Sequence, residues 1–157
     1  ICSMGWRVED ARRAVHEAVR RGATPYGGPT PYGAAPAIYG IGDSLIHFIE
    51  GTTGGEPPHL GAFVEHGTPI HAPEKGFLVI DHLTNNVGVG ELDRWVAFYE
   101  QVYGFSVVRE FHIRGALGTG LTSKVVQSSN GRVIIPINER VPGACGRRRR
   151  RRRLARR

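Results

Sequence analysis

The sequence predicts an α+β chain in which a βαβββ unit is used twice in tandem. Two amphipathic helical segments, each closed by a glycine, carry this prediction. Each helix is followed by strand-like segments joined by a tight turn, and each series of strands ends in a glutamate, Glu50 or Glu139.

In the first half, residues 8–22 read as a helix. Val8, Ala11, Val15, Ala18 and Val19 recur at helical spacing, acids open the segment, arginines close it, and Gly22 stops it. Residues 23–36 are rich in Gly and Pro and form a loop, after which 37–40 and 45–49 make a hairpin turning at Gly42-Asp43. The opening strand of this unit is expected to be missing, or kept only in part within residues 1–6. The second half begins with a strand at 77–81. A helix at 91–103 follows, with Leu92, Trp95, Val96, Tyr99 and Val102 on one side and Gly104 at its end. Strands are then expected at 105–111, 121–127 and 133–137, the last two joined at Ser129-Asn130-Gly131. Between the halves, the Gly- and Pro-rich residues 53–76 read as a linker.

With 157 residues the chain can bury the core of one ordinary domain or two small modules, which excludes a large multidomain enzyme. Cys2 and Cys145 sit near opposite ends without CxxC or Cys/His spacing. They support neither a disulfide framework nor a structural zinc site, and a reducing, cytoplasmic location is expected. No apolar run reaches the roughly 18 residues that span a bilayer, so no membrane partner is expected. The net charge is +7, yet nine of the 21 basic residues fall in 147–157, where there is no acid. Residues 1–146 therefore hold 12 basic against 14 acidic groups, and the basicity is one terminal run. An unbroken arginine stretch repels itself and buries nothing, so 143–157 is expected to be disordered and foreign to the rest, such as an out-of-frame end. Lacking interleaved aromatics, it would bind nucleic acid only non-specifically. A start at Ile1 also suggests a fragment.

Three stretches carry a resemblance: VIDHLTNNV at 79–87, ELDRWVAFYEQVYGF at 91–105 and GLTSKVVQSSNGRVIIPINE at 120–139. They resemble the 4-hydroxyphenylpyruvate dioxygenase family of the vicinal oxygen chelate superfamily, which is built from tandem units of this kind. The likeness covers about residues 5–142. It implies that 1–52 end an N-terminal domain, that 53–76 link, and that 77–142 begin the catalytic C-terminal domain. It also implies an Fe(2+) ion held by two histidines and a carboxylate, with open positions for a 2-oxo acid and O2. The implied reaction converts 4-hydroxyphenylpyruvate and O2 to homogentisate and CO2 in tyrosine catabolism. By resemblance His82 is the first iron ligand, while Ser123, Pro136 and Asn138 turn toward substrate. Strand alternation adds that Pro136 and Asn138 share a face. The Pro-x-Asn pattern favours this branch over a 4-hydroxymandelate synthase-like dioxygenase.

After Asn138-Glu139 the family continues with Pro, whereas this chain has Arg140 and then loses the likeness. The second histidine, the glutamate ligand and the closing helix lie beyond that point in the family. A chain that is catalytically incomplete is therefore expected, inactive as given and poorly folded, with 133–137 as an exposed apolar edge. The parent is expected to be a cytoplasmic homo-oligomer. His16, His47, His59, His66, His71 and His112 read as structural or solvent-facing, and the GxxGxG spacing at 115–120 is not a dinucleotide fingerprint. From a different class, a non-catalytic module whose arginine tail binds anions or nucleic acid remains open.

Overall fold

Asp10 sets the first boundary of the computed structural model, which describes residues 2–29, 35–51, 67, 73, 75–114 and 120–141. Its carboxylate accepts the backbone N–H of Arg13 at 2.8 Å, satisfying one of the donors that a helix start leaves open. Helix α1 therefore spans Ala11–Arg20, and Val8 belongs to the strand before it. That strand, β1 (Ser3–Val8), is present, which corrects the expectation of a missing opening strand. It runs parallel to β4 (Leu45–Glu50), from Ser3 opposite Leu45 to Val8 opposite Glu50. Met4, Trp6 and Val8 alternate toward the core, a period-two signal that Gly5 and Arg7 between them obscure in the sequence. Strands β2 (Pro25–Tyr26) and β3 (Ala37–Tyr39) complete a sheet of order β1-β4-β3-β2. The turn into β4 passes through Gly42 and Asp43, both left-handed at φ 61° and 59°.

The second half repeats this order. Strand β5 (Asn85–Val87) leads to α2 (Leu92–Tyr103), then to β6 (Ser106–Arg114), β7 (Gly120–Gln127) and β8 (Ile134–Val141), in a sheet of order β5-β8-β7-β6. Gly104 closes α2 in the left-handed region, at φ 68°, where a side chain would be strained. Lys124 on β7 donates to Asp93 on α2 at 2.8 Å, tying helix to sheet.

Two expectations fail here. Residues 77–81 form no strand: Phe77 and Leu78 are 93% and 95% exposed, and pairing starts only at Asn85 opposite Ile137. An apolar run reads as a buried strand, but a strand needs a neighbour, and one step earlier β8 presents Pro136, which has no amide hydrogen to give. Nor is 133–137 an exposed apolar edge. Ile135 and Ile137 are buried, β7 flanks β8 along its whole length, and β5 pairs with its other side at 137–139, so that within this stretch of β8 only 134–136 lack a strand neighbour on that side among the described residues. The linker 53–76, apart from a few residues, and the tail 143–157 lie outside the described residues.

Each helix packs on one face of its own sheet, but the two cores are not separate. Ile41 from the first module joins Leu92, Val96, Tyr99, Val126, Ile135 and Ile137 of the second. Val102 of α2 in turn joins Ala11, Ala18, Ile38, Ile46 and Phe48 of the first. Trp6 completes the junction, with its ring 4.5 Å from Tyr103 and stacked at 5.6 Å on Phe105. Aromatic pairs of this kind add about 0.5–1.5 kcal/mol each beyond their buried area. Burial also pushes the Tyr99 and Tyr103 hydroxyl pKa values up, so both stay neutral.

Candidate functional site

Alternation along β7 and β8 decides which side chains face the helix and which face away. Val126, Ile135 and Ile137 are fully or almost fully buried in the core cluster that α2 covers. Ser123, Val125 and Gln127 consequently turn to the other face, where they stand opposite Asn138, Pro136 and Ile134 in register. Phe111 on β6 lies opposite Ser123 and extends this face. The chain before β5 passes over it, bringing Asp81 and His82 to the same place. The resulting cavity has a volume of about 660 Å³.

His82, Ser123 and Pro136 therefore share one cavity. Asn138 lies outside its lining but next to it in register, and its side-chain amide donates to Asn86 Oδ1 at 3.3 Å. His82 keeps about half of its side chain exposed, and its Nδ1 lies 2.6 Å from Asp81 Oδ2. Because an ionised carboxylate can only accept, that contact places a ring proton on Nδ1, which makes Nε2 the nitrogen through which a neutral His82 ring would ligate a metal. Such a carboxylate behind an imidazole is the usual support of a metal-ligating histidine.

The cavity also holds residues that the sequence did not single out. Val108, Phe111, Val125 and Ile134 supply apolar wall, and Arg109 and Gln127 supply polar groups. The spacing of Ser123, Val125 and Gln127, two residues apart on one strand, is the signal that could have found the last two.

The other histidines lie elsewhere. His112 is on the helix-side face of β6, largely exposed, 3.4 Å from Thr122 Oγ1 and 3.5 Å from Glu110 Oε1. His16 is exposed on α1. His47 is fully buried on β4, which lowers its pKa by desolvation and keeps it neutral. His59, His66, His71 and most of the 115–120 segment lie outside the described residues.

Among the described residues no three His, Cys, Asp or Glu side chains gather as a metal site. His82 fits one position of a two-histidine, one-carboxylate set, and the remaining two are not supplied by these residues. A groove of about 710 Å³ lies between α2, the segment just after α1 and the end of β3, yet its arginines are engaged, Arg21 with Glu17 and Arg94 with Glu91. Among the described residues no helix is long and apolar enough to cross a membrane.

Comparison with known proteins bears on the same residues. Residues 1–57 match the family model described as hydroxyphenylpyruvate dioxygenase, N-terminal, and residues 79–148 match that of the glyoxalase/bleomycin resistance protein/dioxygenase superfamily. Protein MelA of Shewanella colwelliana is 47% identical over 139 residues, covering 88% of this chain and 40% of the relative. The 4-hydroxyphenylpyruvate dioxygenase of Pseudomonas sp. (strain P.J. 874) is 36% identical over 150 residues, covering 93% and 42%. A mutant 4-hydroxymandelate synthase from Streptomyces coelicolor shares the fold with TM-score 0.66 at 20% identity, over 91% of this chain and 42% of that one. The chain thus spans about two fifths of the length of these relatives. It belongs to the glyoxalase/dioxygenase superfamily of vicinal-oxygen-chelate folds, in the branch of the 4-hydroxyphenylpyruvate dioxygenases.

Proposed function

We propose that this chain contributes one wall of the active site of an Fe(2+)-dependent 4-hydroxyphenylpyruvate dioxygenase that forms homogentisate and CO2. Residues 1–52 would end the N-terminal domain, 53–76 would link, and 77–142 would begin the catalytic domain. The observation that carries this reading is the meeting of His82, Ser123 and Pro136 in one cavity of a chain from this family.

His82 would give Nε2 to the iron while Asp81 holds its Nδ1. Bound iron would supply a chelation point for the 2-oxo acid and an activation point for O2. Two further ligands must come from outside the described residues. The chain's own part is orientation. Phe111, Val125, Ile134 and Pro136 offer an apolar wall for an aromatic ring, and the Ser123 hydroxyl and Gln127 amide can hydrogen-bond polar substituents. Arg109 adds positive charge that attracts an anionic acid. Asn138, fixed by Asn86 beside Ser123, holds that polar end in place.

The test joins residues 1–139 to the C-terminal half of the Pseudomonas sp. relative. The chimera should consume O2 in the presence of 4-hydroxyphenylpyruvate and iron and release homogentisate, and His82→Ala should abolish both. Turnover by the His82→Ala chimera equal to the parent's would overturn the assignment.

A further inference from the structure

The cavity beside His82 owes its one arginine to an irregularity in β6. Along that strand Val107 stands opposite Val126 and Arg109 opposite Val125, so Val108 between them has no partner. The extra residue is a β-bulge, and it reverses the face that the following side chains take. In an unbroken strand, positions 105, 107, 109 and 111 would share one face. Phe105 is buried in the core that α2 covers, so Arg109 and Phe111 would turn toward the helix with it. The bulge instead keeps Phe105 in the core and brings Val108, Arg109 and Phe111 to the cavity.

We propose that Arg109, placed in the cavity by the bulge at Val108, is the residue by which this site selects an aryl 2-oxo acid over its uncharged analogues, a role that rests on reading the cavity as a substrate site. Among the ionisable groups of the lining, Asp81 and His82 are engaged with each other at 2.6 Å. Arg109 is exposed and makes no ion pair among the described residues. It stands opposite Val125, which in turn stands opposite Pro136, so the charge rises beside an apolar wall. A cation in that position is matched by an anion that brings an apolar body with it. The planar fork of guanidinium N–H groups fits a carboxylate in particular. The ring of such an acid lies against Val108, Phe111, Val125, Ile134 and Pro136, and its carboxylate accepts from Arg109. Ser123 and Gln127 cannot make this distinction, since a hydroxyl or an amide hydrogen-bonds a ketone and an acid alike. Asp81 would repel the anion, but its carboxylate is already held by the ring of His82.

The test needs neither iron nor turnover. Two probes differ at one end: phenylpyruvate, and phenylacetone, in which a methyl group replaces the carboxylate. NMR titration of the metal-free 157-residue chain, followed at the amides of Phe111 and Gln127, should show phenylpyruvate bound about tenfold or more tighter at low salt. Arg109→Gln should remove that preference without weakening phenylacetone. Arg109→Lys should keep part of it, since the charge survives and the fork is lost. The arginine run at 147–157 is common to all three chains and cannot produce the difference. An unchanged preference in Arg109→Gln, loss of phenylacetone binding in that variant, or no binding of phenylpyruvate by the parent at about 1 mM overturns the proposal. The result is separable from that of the chimera. Turnover there with no effect of Arg109→Gln here removes only the role of Arg109, whereas charge-selective binding here without turnover there removes the dioxygenase reading alone.

Discussion

Glu139, in the last strand of its module, accepts the backbone N–H of Leu92 at 2.8 Å, although 47 positions separate them. Glu50 does the same for Ala11 at 3.0 Å in the first module. In both repeats the closing strand thus delivers a carboxylate to the positive end of that repeat's helix, where unpaired N–H groups collect. The covalent order of each repeat is locked by a contact between its last strand and its long helix.

The N–H groups of Gly90, Leu92 and Glu91 hold the Glu139 carboxyl below its ordinary range. A group with a depressed folded pKa contributes stability above its unfolded pKa, and that contribution fades as pH falls through the folded value. Glu139→Gln should therefore lower the urea midpoint at pH 7, with the gap to the parent closing as the pH is taken below the ordinary carboxylate range. A constant gap down to pH 2 or so would mean that the charge is not the cause.

Ile137 is fully buried, whereas Phe77 is almost fully exposed. Ile137→Ala should cost about 2–5 kcal/mol, and Phe77→Ser should stay within about 0.5 kcal/mol. Denaturant unfolding of the two variants measures both, and a large loss from Phe77→Ser would show that the segment before β5 packs in solution.

In the chimera, four substitutions separate ligand, support and orientation. His82→Ala should strip the iron, and Asp81→Asn should weaken its binding about tenfold to a hundredfold. Asn138→Ile should keep the iron while homogentisate formation falls by a similar factor, and His112→Ala should change little. Metal content measured beside product formation distinguishes them. The unfused 157-residue chain should give no turnover.

Nine arginines in 147–157 supply almost all the attraction this chain can have for polyanions. Deleting them should abolish retention on heparin at low salt, and the retention of the intact chain should fall steeply as salt rises. Undiminished retention of residues 1–146 would place the basic surface elsewhere.

Both helices, the hairpin after Gly42-Asp43 and the turn at Asn130-Gly131 were legible because caps, left-handed positions and helical spacing are local properties of the chain. β1 and 77–81 were misread for the opposite reason. Whether a short or apolar segment becomes a strand depends on a neighbour 40 or more positions away, which no local pattern records. Within the cavity, Ser123 and Pro136 could be named through a motif and Val125 and Gln127 through alternation along β7, whereas the presence of Arg109 and the approach of Asp81 depend on register across three strands and on the path of the chain before β5.

The indole of Trp6, lodged against Tyr99, Tyr103 and Phe105, joins the two repeats into one cooperative unit. A duplicated module with a private core could be lost, shuffled or melted independently of its twin. Here removal of either repeat strips apolar cover from the other, so both should unfold in a single transition. With Trp95 replaced by Phe, the emission of Trp6, although it belongs to the first repeat, should report the integrity of the second.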